Sequence, residues 1–201
     1  MTARALEPGY FDALYADDID PWRFETSDYE AAKYTATLAS LPRLRYHNAI
    51  EIGCSIGVPT AQLAIRCDAL LGIDVTTAAL GHAARRCADL PHVTFARSTL
   101  PDVPPAGSFD LIVLSEVLYY FDTDGLARLA VSLRQMATAG ADLMLAHWLG
   151  PTPDYPLTGD TAVAAFEALF DSEVMQRERT ADYRLDVLRA PRASRQAGRR
   201  A

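Results

Sequence analysis

The stretch AIEIGCSIGVPTAQLA, residues 49–64, predicts a short buried strand, a tight turn that carries two glycines, and a helix. Pro59 falls in the first turn of that helix, where a missing N–H breaks no intrahelical hydrogen bond. Gly53 permits a positive φ angle or a close ligand, and Gly57 lets the start of the helix press against the strand. This arrangement brings backbone N–H groups and a helix N-terminus to a ligand at the carboxyl end of the strand.

Strands and helices alternate after this stretch. Further strands are predicted at ALLGID (69–74), HVTFAR (92–97), FDLIVLS (109–115) and ADLMLAHW (141–148), with helices between them. Strands that are apolar on both faces and separated by helices indicate a parallel sheet covered on both sides. The segment 173–190 holds two strands joined by a short turn near 180–182, and they must pair antiparallel because no helix fits between them. The sequence therefore predicts an α/β fold, a doubly wound sheet of seven strands, mostly parallel, with a C-terminal antiparallel hairpin.

The composition is that of one ordinary globular domain. The chain has 201 residues, 50% of them hydrophobic and 22% charged, and no apolar run is long enough for a membrane span. We expect a single domain over residues 1–190, in the cytoplasm, because the N-terminus lacks the apolar core of a signal peptide. Cys54, Cys67 and Cys87 form no C-x-x-C pair, so we expect reduced thiols and no metal site.

The charge distribution argues against a nucleic-acid partner. The formal net charge is −7, and residues 1–190 hold 15 basic against 26 acidic groups, a balance of −11. Residues 191–201 carry four arginines and no acid, and we expect this basic tail to be disordered. A small-molecule partner, no membrane contact, and a monomer or weak homodimer are the corresponding expectations.

The glycine spacing distinguishes between nucleotide cofactors. A dinucleotide fingerprint would read G-x-G-x-x-G, whereas Gly53 and Gly57 stand four apart and follow Glu51 by two and six positions. This resembles the cofactor loop of class I methyltransferases. The resemblance implies S-adenosylmethionine as cofactor and a Rossmann-like sheet, with Glu51 anchoring the loop or the methionine ammonium and with Cys54 beside it.

Residues at the ends of the next strands extend the predicted cofactor site. Asp74 ends the second strand, where a carboxylate can accept both hydroxyls of a ribose, and Val75 follows it. Asp74 could also be the N-cap of the helix that begins at Thr76, and the two roles are compatible. In the resemblance, Ser98 and Thr99 stand where many methyltransferases place an Asp that holds the adenine amino group, and Ser115 ends the fourth strand.

The segment FDLIVLSEVLYYF, residues 109–121, predicts the acceptor side of the site. Glu116, Tyr119 and Tyr120 follow a buried strand, and two tyrosines suit a cleft wall that is half apolar and half wet. His147 and Trp148 close the fifth strand. If the acceptor is an amine, a carboxylate or a histidine can take its proton, so Glu116, Tyr119 and His147 are the candidate catalytic residues. The candidate substrate contacts are Trp22, Tyr119, Tyr120, His147 and Trp148.

The segment before the first strand, about residues 10–42, is predicted to form a helical lid over the site. Residues 28–41 have a helical pattern, with Ser27 or Asp28 as N-cap. Trp22 can pack against the sulfonium or a sugar face, and Lys33 or Arg23 can pair with the methionine carboxylate. A helix that only covers the sheet edge is the alternative.

The order of these motifs resembles the NodS-like methyltransferases, a family named for a nodulation protein. The most specific parts are Asp20-Pro21-Trp22-Arg23 and the run from Glu116 to Tyr120. The resemblance implies methyl transfer to a small acceptor, with N-methylation of an amino sugar or oligosaccharide as the family's founding activity. The Pro-rich loop 150–160 is not expected from the founding members, which leaves room for another acceptor.

Two other functions stay open at this point. A non-catalytic protein with a methyltransferase fold could bind the nucleotide-like ligand as a regulatory cue, although an intact lid argues against it. A nicotinamide oxidoreductase would also use Asp74, but the missing G-x-G-x-x-G and the closing hairpin disfavour it.

Overall fold

The computed structural model describes residues 4–191. Residues 192–201 of the predicted basic tail therefore lie outside the described residues. The helices are α1 (Pro8–Asp17), α2 (Asp28–Ser40), α3 (Val58–Leu63), α4 (Thr77–Arg86), α5 (Thr123–Met136) and α6 (Gly159–Leu169). The strands are β1 (Ala49–Ile52), β2 (Leu70–Asp74), β3 (Val93–Arg97), β4 (Phe109–Ser115), β5 (Ala137–Trp148), β6 (Glu173–Arg179) and β7 (Tyr183–Arg189).

The seven strands form one sheet in the order β3-β2-β1-β4-β5-β7-β6. The first five strands are parallel, and β7 pairs antiparallel with both β5 and β6. The order reverses between β1 and β4, and an open α/β sheet binds its ligand outside the carboxyl ends of the strands at such a switch point. The predicted fold class and the hairpin are confirmed.

Local signals explain where α2 and α5 begin. The Ser27 side chain accepts a hydrogen bond from the Glu30 N–H at the start of α2, and Asp122 accepts one from the Gly125 N–H at the start of α5. Pro42 stands just beyond the end of α2. Such caps satisfy N–H groups that a helix cannot pair internally.

Two apolar layers cover the sheet. One face packs against α5 and α6 through residues such as Leu129 and Phe166, and the other packs around Tyr46, all of them fully buried. Cys54, Cys67 and Cys87 are buried free thiols, as expected. Within residues 4–191 every helix is too short or too polar to span a bilayer.

Candidate functional site

A cavity of about 490 Å³ opens at the carboxyl ends of the central strands. That volume lies within the range of roughly 300–1,000 Å³ typical of small-molecule sites. Its walls come from the N-terminal segment with α1, the turn and helix around Trp22 to Glu30, the loop after β1, the ends of β2 and β3, the segment after β4, the first turns of α5, and Trp148 at the end of β5. Three non-glycine residues with positive φ, namely Arg23, Ser55 and Glu116, all lie in these regions, and such backbone strain clusters at functional sites.

The loop after β1 requires both of its glycines. Gly53 has φ +74°, and a Cβ there would lie 2.3 Å from Cγ1 of Val117. Gly57 has φ +78°, and a Cβ there would lie 2.9 Å from the backbone of Ala83 in α4. Gly53 thus keeps the loop flat against one cavity wall, while Gly57 lets α3 approach α4.

Asp74 forms part of the cavity wall and also holds the loop after β1. Its Oδ2 accepts the Ser55 N–H and its Oδ1 accepts the Thr76 N–H, each at 3.0 Å. Burial raises the pKa of Asp74, and the backbone N–H bonds act against that rise. A carboxylate oxygen with one hydrogen bond can accept another, so Asp74 has the capacity to take two hydroxyls of a ligand.

The part of the cavity wall just beyond β2, β3 and β4, called the slot below, combines apolar side chains with hydroxyls. Val75, Leu100 and Val117 line it together with Ser98 and Thr99. The Ser98 hydroxyl donates to the Val103 carbonyl at 2.6 Å, so it can only accept from a ligand. Such a slot suits a flat aromatic ring with a polar edge.

A buried charge network forms the opposite wall. The Glu116 carboxylate accepts hydrogen bonds from the Lys33 ammonium at 2.5 Å, the Tyr119 hydroxyl at 2.6 Å and the Trp148 N–H at 3.0 Å. Burial raises the pKa of Glu116, but the Lys33 charge and the hydrogen bonds from Lys33 and Tyr119 act together against burial, and the pKa lies below its ordinary value. Glu30 accepts a second hydrogen bond from Lys33 at 2.9 Å, and burial raises the pKa of Glu30. With both carboxylates ionised, the network carries one net negative charge next to the cavity.

Aromatic side chains enclose the space between these walls. Trp22 stacks on Phe24 with ring centroids 5.5 Å apart, and its edge meets Tyr15 at 5.7 Å. The Tyr15 hydroxyl shares a 2.6 Å hydrogen bond with the Ser55 hydroxyl, which ties α1 to the loop after β1. On the other side Tyr119 packs against Tyr120 with centroids 4.7 Å apart.

The structure brings most of the sequence-predicted site residues to this one cavity. Those that line it are Trp22, Gly53, Asp74, Val75, Ser98, Thr99, Ser115, Glu116, Tyr119, Tyr120 and Trp148. The predicted residues that do not line it are Arg23, Lys33, Glu51, Cys54, Gly57 and His147.

His147 does not fit the predicted catalytic and substrate-binding roles. Its side chain is fully buried within the sheet, and its Nε2 accepts the Leu118 N–H at 3.1 Å. Burial lowers the pKa of His147 to about 4. The imidazole is therefore a neutral structural acceptor that holds the segment after β4, with no path to a substrate.

We expect the buried His147 to weaken the fold in acid. The folded-state pKa of about 4 lies below the ordinary 6.5, so between these values the unfolded chain binds a proton that the folded chain excludes. Stability falls as the pH drops from about 6.5 to 4, by roughly 3 kcal/mol for this group. His147→Gln keeps an acceptor for the Leu118 N–H but does not titrate. Chemical denaturation of both proteins at several pH values measures the difference.

Equal acid losses of unfolding free energy in the two proteins would contradict this reading of His147. Other buried acids change the free energy of unfolding with pH in the same way in both proteins. Only the difference between the curves reports the histidine.

The structure does not bring two more of the predicted contacts, Arg23 and Lys33, to the cavity wall. Arg23 is exposed, and only its backbone takes part in the turn before α2. The Lys33 ammonium, 1% exposed, lies between two carboxylates.

The other three predicted residues, Glu51, Cys54 and Gly57, lie in or beside the loop after β1 but do not line the cavity. Glu51 is buried and accepts the Thr60 hydroxyl at 2.5 Å, which agrees with loop anchoring and not with a ligand contact. Burial raises the pKa of Glu51 to about 7. Cys54 is fully buried, with its sulfur facing Gly72, and Gly57 packs on α4.

Sequence reasoning missed the N-terminal wall of the cavity. The Leu6 N–H donates to the Tyr120 carbonyl at 2.9 Å, and residues 5–8 line the cavity with Phe11 and Tyr15. Pro8 at the first turn of α1 and the i, i+4 spacing of the two aromatic residues were usable signals. The pairing with Tyr120 has no signature in the sequence.

Comparison with known proteins places the chain in a family. The model of the family Nodulation protein S (NodS) matches residues 13–145. Nodulation protein S of Rhizobium tropici is 36% identical over 130 residues, which are 63% of this chain and 54% of that protein. The protein of the same name from Sinorhizobium fredii is 34% identical over 113 residues, 56% of this chain and 52% of that one. The matches thus span about half the length of these curated relatives.

Solved structures give longer matches. The N-methyltransferase NodS from Bradyrhizobium japonicum WM9, in complex with S-adenosylhomocysteine, is 27% identical with a TM-score of 0.79 over 91% of this chain and 97% of that chain. A Pseudomonas syringae protein described as a candidate methyltransferase is 35% identical with a TM-score of 0.72, over 80% of this chain and 98% of that chain. The fold is that of class I methyltransferases. Because the family match covers more than half of its 201 residues, the chain belongs to the nodulation protein S family.

Proposed function

We propose that this chain is an S-adenosylmethionine-dependent methyltransferase that acts on a small-molecule acceptor. The observation that carries the proposal is the Asp74 carboxylate in the cavity wall, held beside the glycine loop at the switch point of the sheet. The NodS structure from Bradyrhizobium japonicum, which has the same fold, contains S-adenosylhomocysteine. That ligand is the product that a methyl transfer from S-adenosylmethionine leaves behind.

The residues present fit this cofactor. Asp74 would hold the ribose hydroxyls, and the slot of Val75, Leu100 and Val117 would hold the adenine, with Thr99 at its polar edge. When bound, the cofactor supplies a methyl group activated by a positively charged sulfur. The net negative charge of the Glu116 network suits that positive charge electrostatically.

Glu116 is the group that we assign to the acceptor. An amine nitrogen gains positive charge as it is methylated, and an ionised carboxylate stabilises that charge. Because the pKa of Glu116 is held below its ordinary value, Glu116 acts as a hydrogen-bond acceptor and charge partner and not as the store of the released proton. Tyr119 donates its hydroxyl to Glu116 and so orients the carboxylate.

Residues 10–42 form the proposed lid. Trp22 and Phe24 stack over the cavity, and Tyr15 joins them to the loop after β1. Closure over the ligands would exclude water, which strengthens the electrostatic interactions inside the site. The remainder of residues 1–190 would form the single catalytic domain beneath it.

The lid predicts a change around Trp22 on ligand binding. Trp148→Phe leaves Trp22 as the chain's one tryptophan. We expect S-adenosylhomocysteine to protect Trp22 fluorescence from acrylamide quenching by several-fold, because the lid orders over the ligand. The matched Trp22→Phe variant keeps Trp148, which lines the same cavity but lies outside the lid, so it reports direct shielding by the ligand without lid closure. Equal quenching of Trp22 with and without bound ligand would rule out closure of this segment.

The finer proposal is N-methylation of an amino sugar or an oligosaccharide. It is supported by family membership and by the charge next to the cavity, which suits an amine. The cavity of about 490 Å³ would hold one cofactor-sized molecule and little more, so an oligosaccharide would insert only its terminal unit. A cytoplasmic location and a monomer or weak homodimer stay predictions.

Calorimetry and a transfer assay test the proposal together. We expect micromolar binding of S-adenosylmethionine and S-adenosylhomocysteine and no binding of NAD. Methyl transfer should occur to glucosamine oligomers with a free amine and not to their fully N-acetylated counterparts. Absence of binding by both adenosyl ligands would overturn the methyltransferase proposal, whereas binding without transfer to any amine would overturn only the acceptor.

A further inference from the structure

Lys33 is the chain's only lysine; the other 18 basic residues are arginines. It is also among the largest fully buried side chains, with 1% of its surface exposed. A charged side chain is seldom buried to this extent without a specific partner. Lysine carries a compact charge, whereas arginine carries a wide planar one, so a lysine fits where a single cation must lie between close carboxylates.

The contacts of Lys33 connect the covering helix to the cavity wall. Its ammonium lies 2.9 Å from the Glu30 carboxylate in α2 and 2.5 Å from the Glu116 carboxylate after β4. It also lies 5.1 Å from the ring centre of Tyr29, which lines the cavity. Within residues 4–191, Lys33 is the one Lys or Arg whose charge lies within 4.0 Å of Glu116. The position of α2 and the charge of Glu116 therefore depend on the same ammonium.

Glu116 needs such support. Its backbone is in the left-handed region at φ +58°, a conformation that a non-glycine residue keeps only when its surroundings enforce it. The titratable groups that interact with it are Lys33, Glu30, Tyr29 and Tyr34 from α2, Tyr119 and Tyr120 after β4, and His147 from β5. His147 is neutral above a pH of about 4, so Lys33 supplies the positive charge in this group.

We propose that Lys33 is a positioning residue for Glu116, which keeps that carboxylate ionised and aimed into the cavity while fastening α2 over it. The role of Glu116 toward the acceptor rests on the proposed function. The pairing of the two residues does not, and it can be measured separately. Lys33 acts through Glu116 and makes no contact with a substrate of its own.

The single lysine makes the pairing directly observable. Protein labelled with ¹³C-lysine gives one side-chain resonance, whose pH dependence reports the protonation of Lys33. The neighbouring carboxylates raise the pKa of Lys33 against the effect of burial. We expect Glu116→Gln to lower the lysine titration midpoint by at least one pH unit. An unchanged midpoint would overturn the proposal, and the measurement needs no replacement of Lys33.

The pH profile of methyl transfer distinguishes positioning from a merely structural role. In Lys33→Met, burial of Glu116 is opposed only by the hydrogen bonds from Tyr119 and Trp148, so its pKa rises and the ionised form is lost at a higher pH. We expect the acid limb of the kcat/KM profile to move up by more than one pH unit, and Lys33→Arg to restore part of the shift. If Lys33→Met lowers kcat/KM by the same factor at every pH, the proposal is overturned.

Two further variants keep the outcome interpretable. Glu30→Gln removes the other carboxylate but leaves the Lys33–Glu116 pair. The acid limb of the kcat/KM profile should therefore stay where it is or move to lower pH. A shift to higher pH like that of Lys33→Met would overturn the proposal. If Lys33→Met does not fold, the double variant Lys33→Met/Glu116→Gln, which removes both charges, should fold again. If the wild-type protein binds no S-adenosylhomocysteine, the proposed function fails while the lysine titration still decides the pairing.

Discussion

Replacing Asp74 with asparagine is expected to weaken the binding of S-adenosylhomocysteine by more than about 100-fold. Two hydrogen bonds from ligand hydroxyls to a carboxylate contribute roughly 3 kcal/mol together, and an amide cannot accept both. The change also leaves either the Ser55 or the Thr76 N–H facing an NH₂ group, since each carboxylate oxygen accepts one of them. Isothermal titration measures the affinity.

The control for this variant is Asp89→Asn, an exposed carboxylate just beyond α4 that does not line the cavity. It makes the same chemical change at a solvated site and should bind the ligand as the wild type does. Thermal melting of Asp74→Asn shows whether the domain stays folded. Binding by Asp74→Asn within about threefold of the wild type would remove Asp74 from the cofactor site.

Replacing Gly53 with alanine is expected to lower the free energy of unfolding by about 2–5 kcal/mol and to abolish ligand binding. The residue has φ +74°, which costs an L-residue roughly 1–2 kcal/mol. The new Cβ would lie 2.3 Å from Cγ1 of Val117, and such overpacking costs roughly 1–3 kcal/mol. Val117 can yield only by moving into the slot that it lines.

Gly9→Ala is the matched control for Gly53→Ala, because Gly9 lies in α1 with no atom within 4 Å of an added Cβ. Alanine there should be neutral or stabilising by up to about 1 kcal/mol. In the double variant Gly53→Ala/Val117→Ala the clash is relieved, so part of the binding should return while the φ strain persists. Denaturant unfolding that finds Gly53→Ala and Gly9→Ala equally stable would show that the loop tolerates a side chain.

The helix and strand positions were largely predictable because periodicity and capping are local. The predicted helix 28–41 is α2 at Asp28–Ser40, and the hairpin turn lies where 180–182 was expected. Strand β5 begins at Ala137, four residues earlier than predicted. Its first residues, ATAG, have no strand pattern, and they extend because Ala137 pairs with Phe109 and the Gly140 N–H donates to the Pro191 carbonyl.

The candidate site was predictable where the topology alone determines position. Asp74, Gly53 and Glu116 follow neighbouring parallel strands, and the carboxyl ends of such strands meet at one edge of a sheet. His147 also ends a strand, but it was predicted wrongly. Strand β5 is buried from Gly140 to His147, so no alternation of polar and apolar residues indicates which way the imidazole faces.

The sequence by itself thus determined the fold class, the edge of the sheet where the ligand site lies, and the glycine loop with Asp74. Each of these depends on patterns within a few residues or on the order of strands. Only the tertiary structure decided that Lys33 pairs with Glu116, 83 positions away, and that residues 5–8 close the cavity. Those contacts join segments distant in the chain, and their geometry depends on how helices pack on the sheet, which no local pattern of residues encodes.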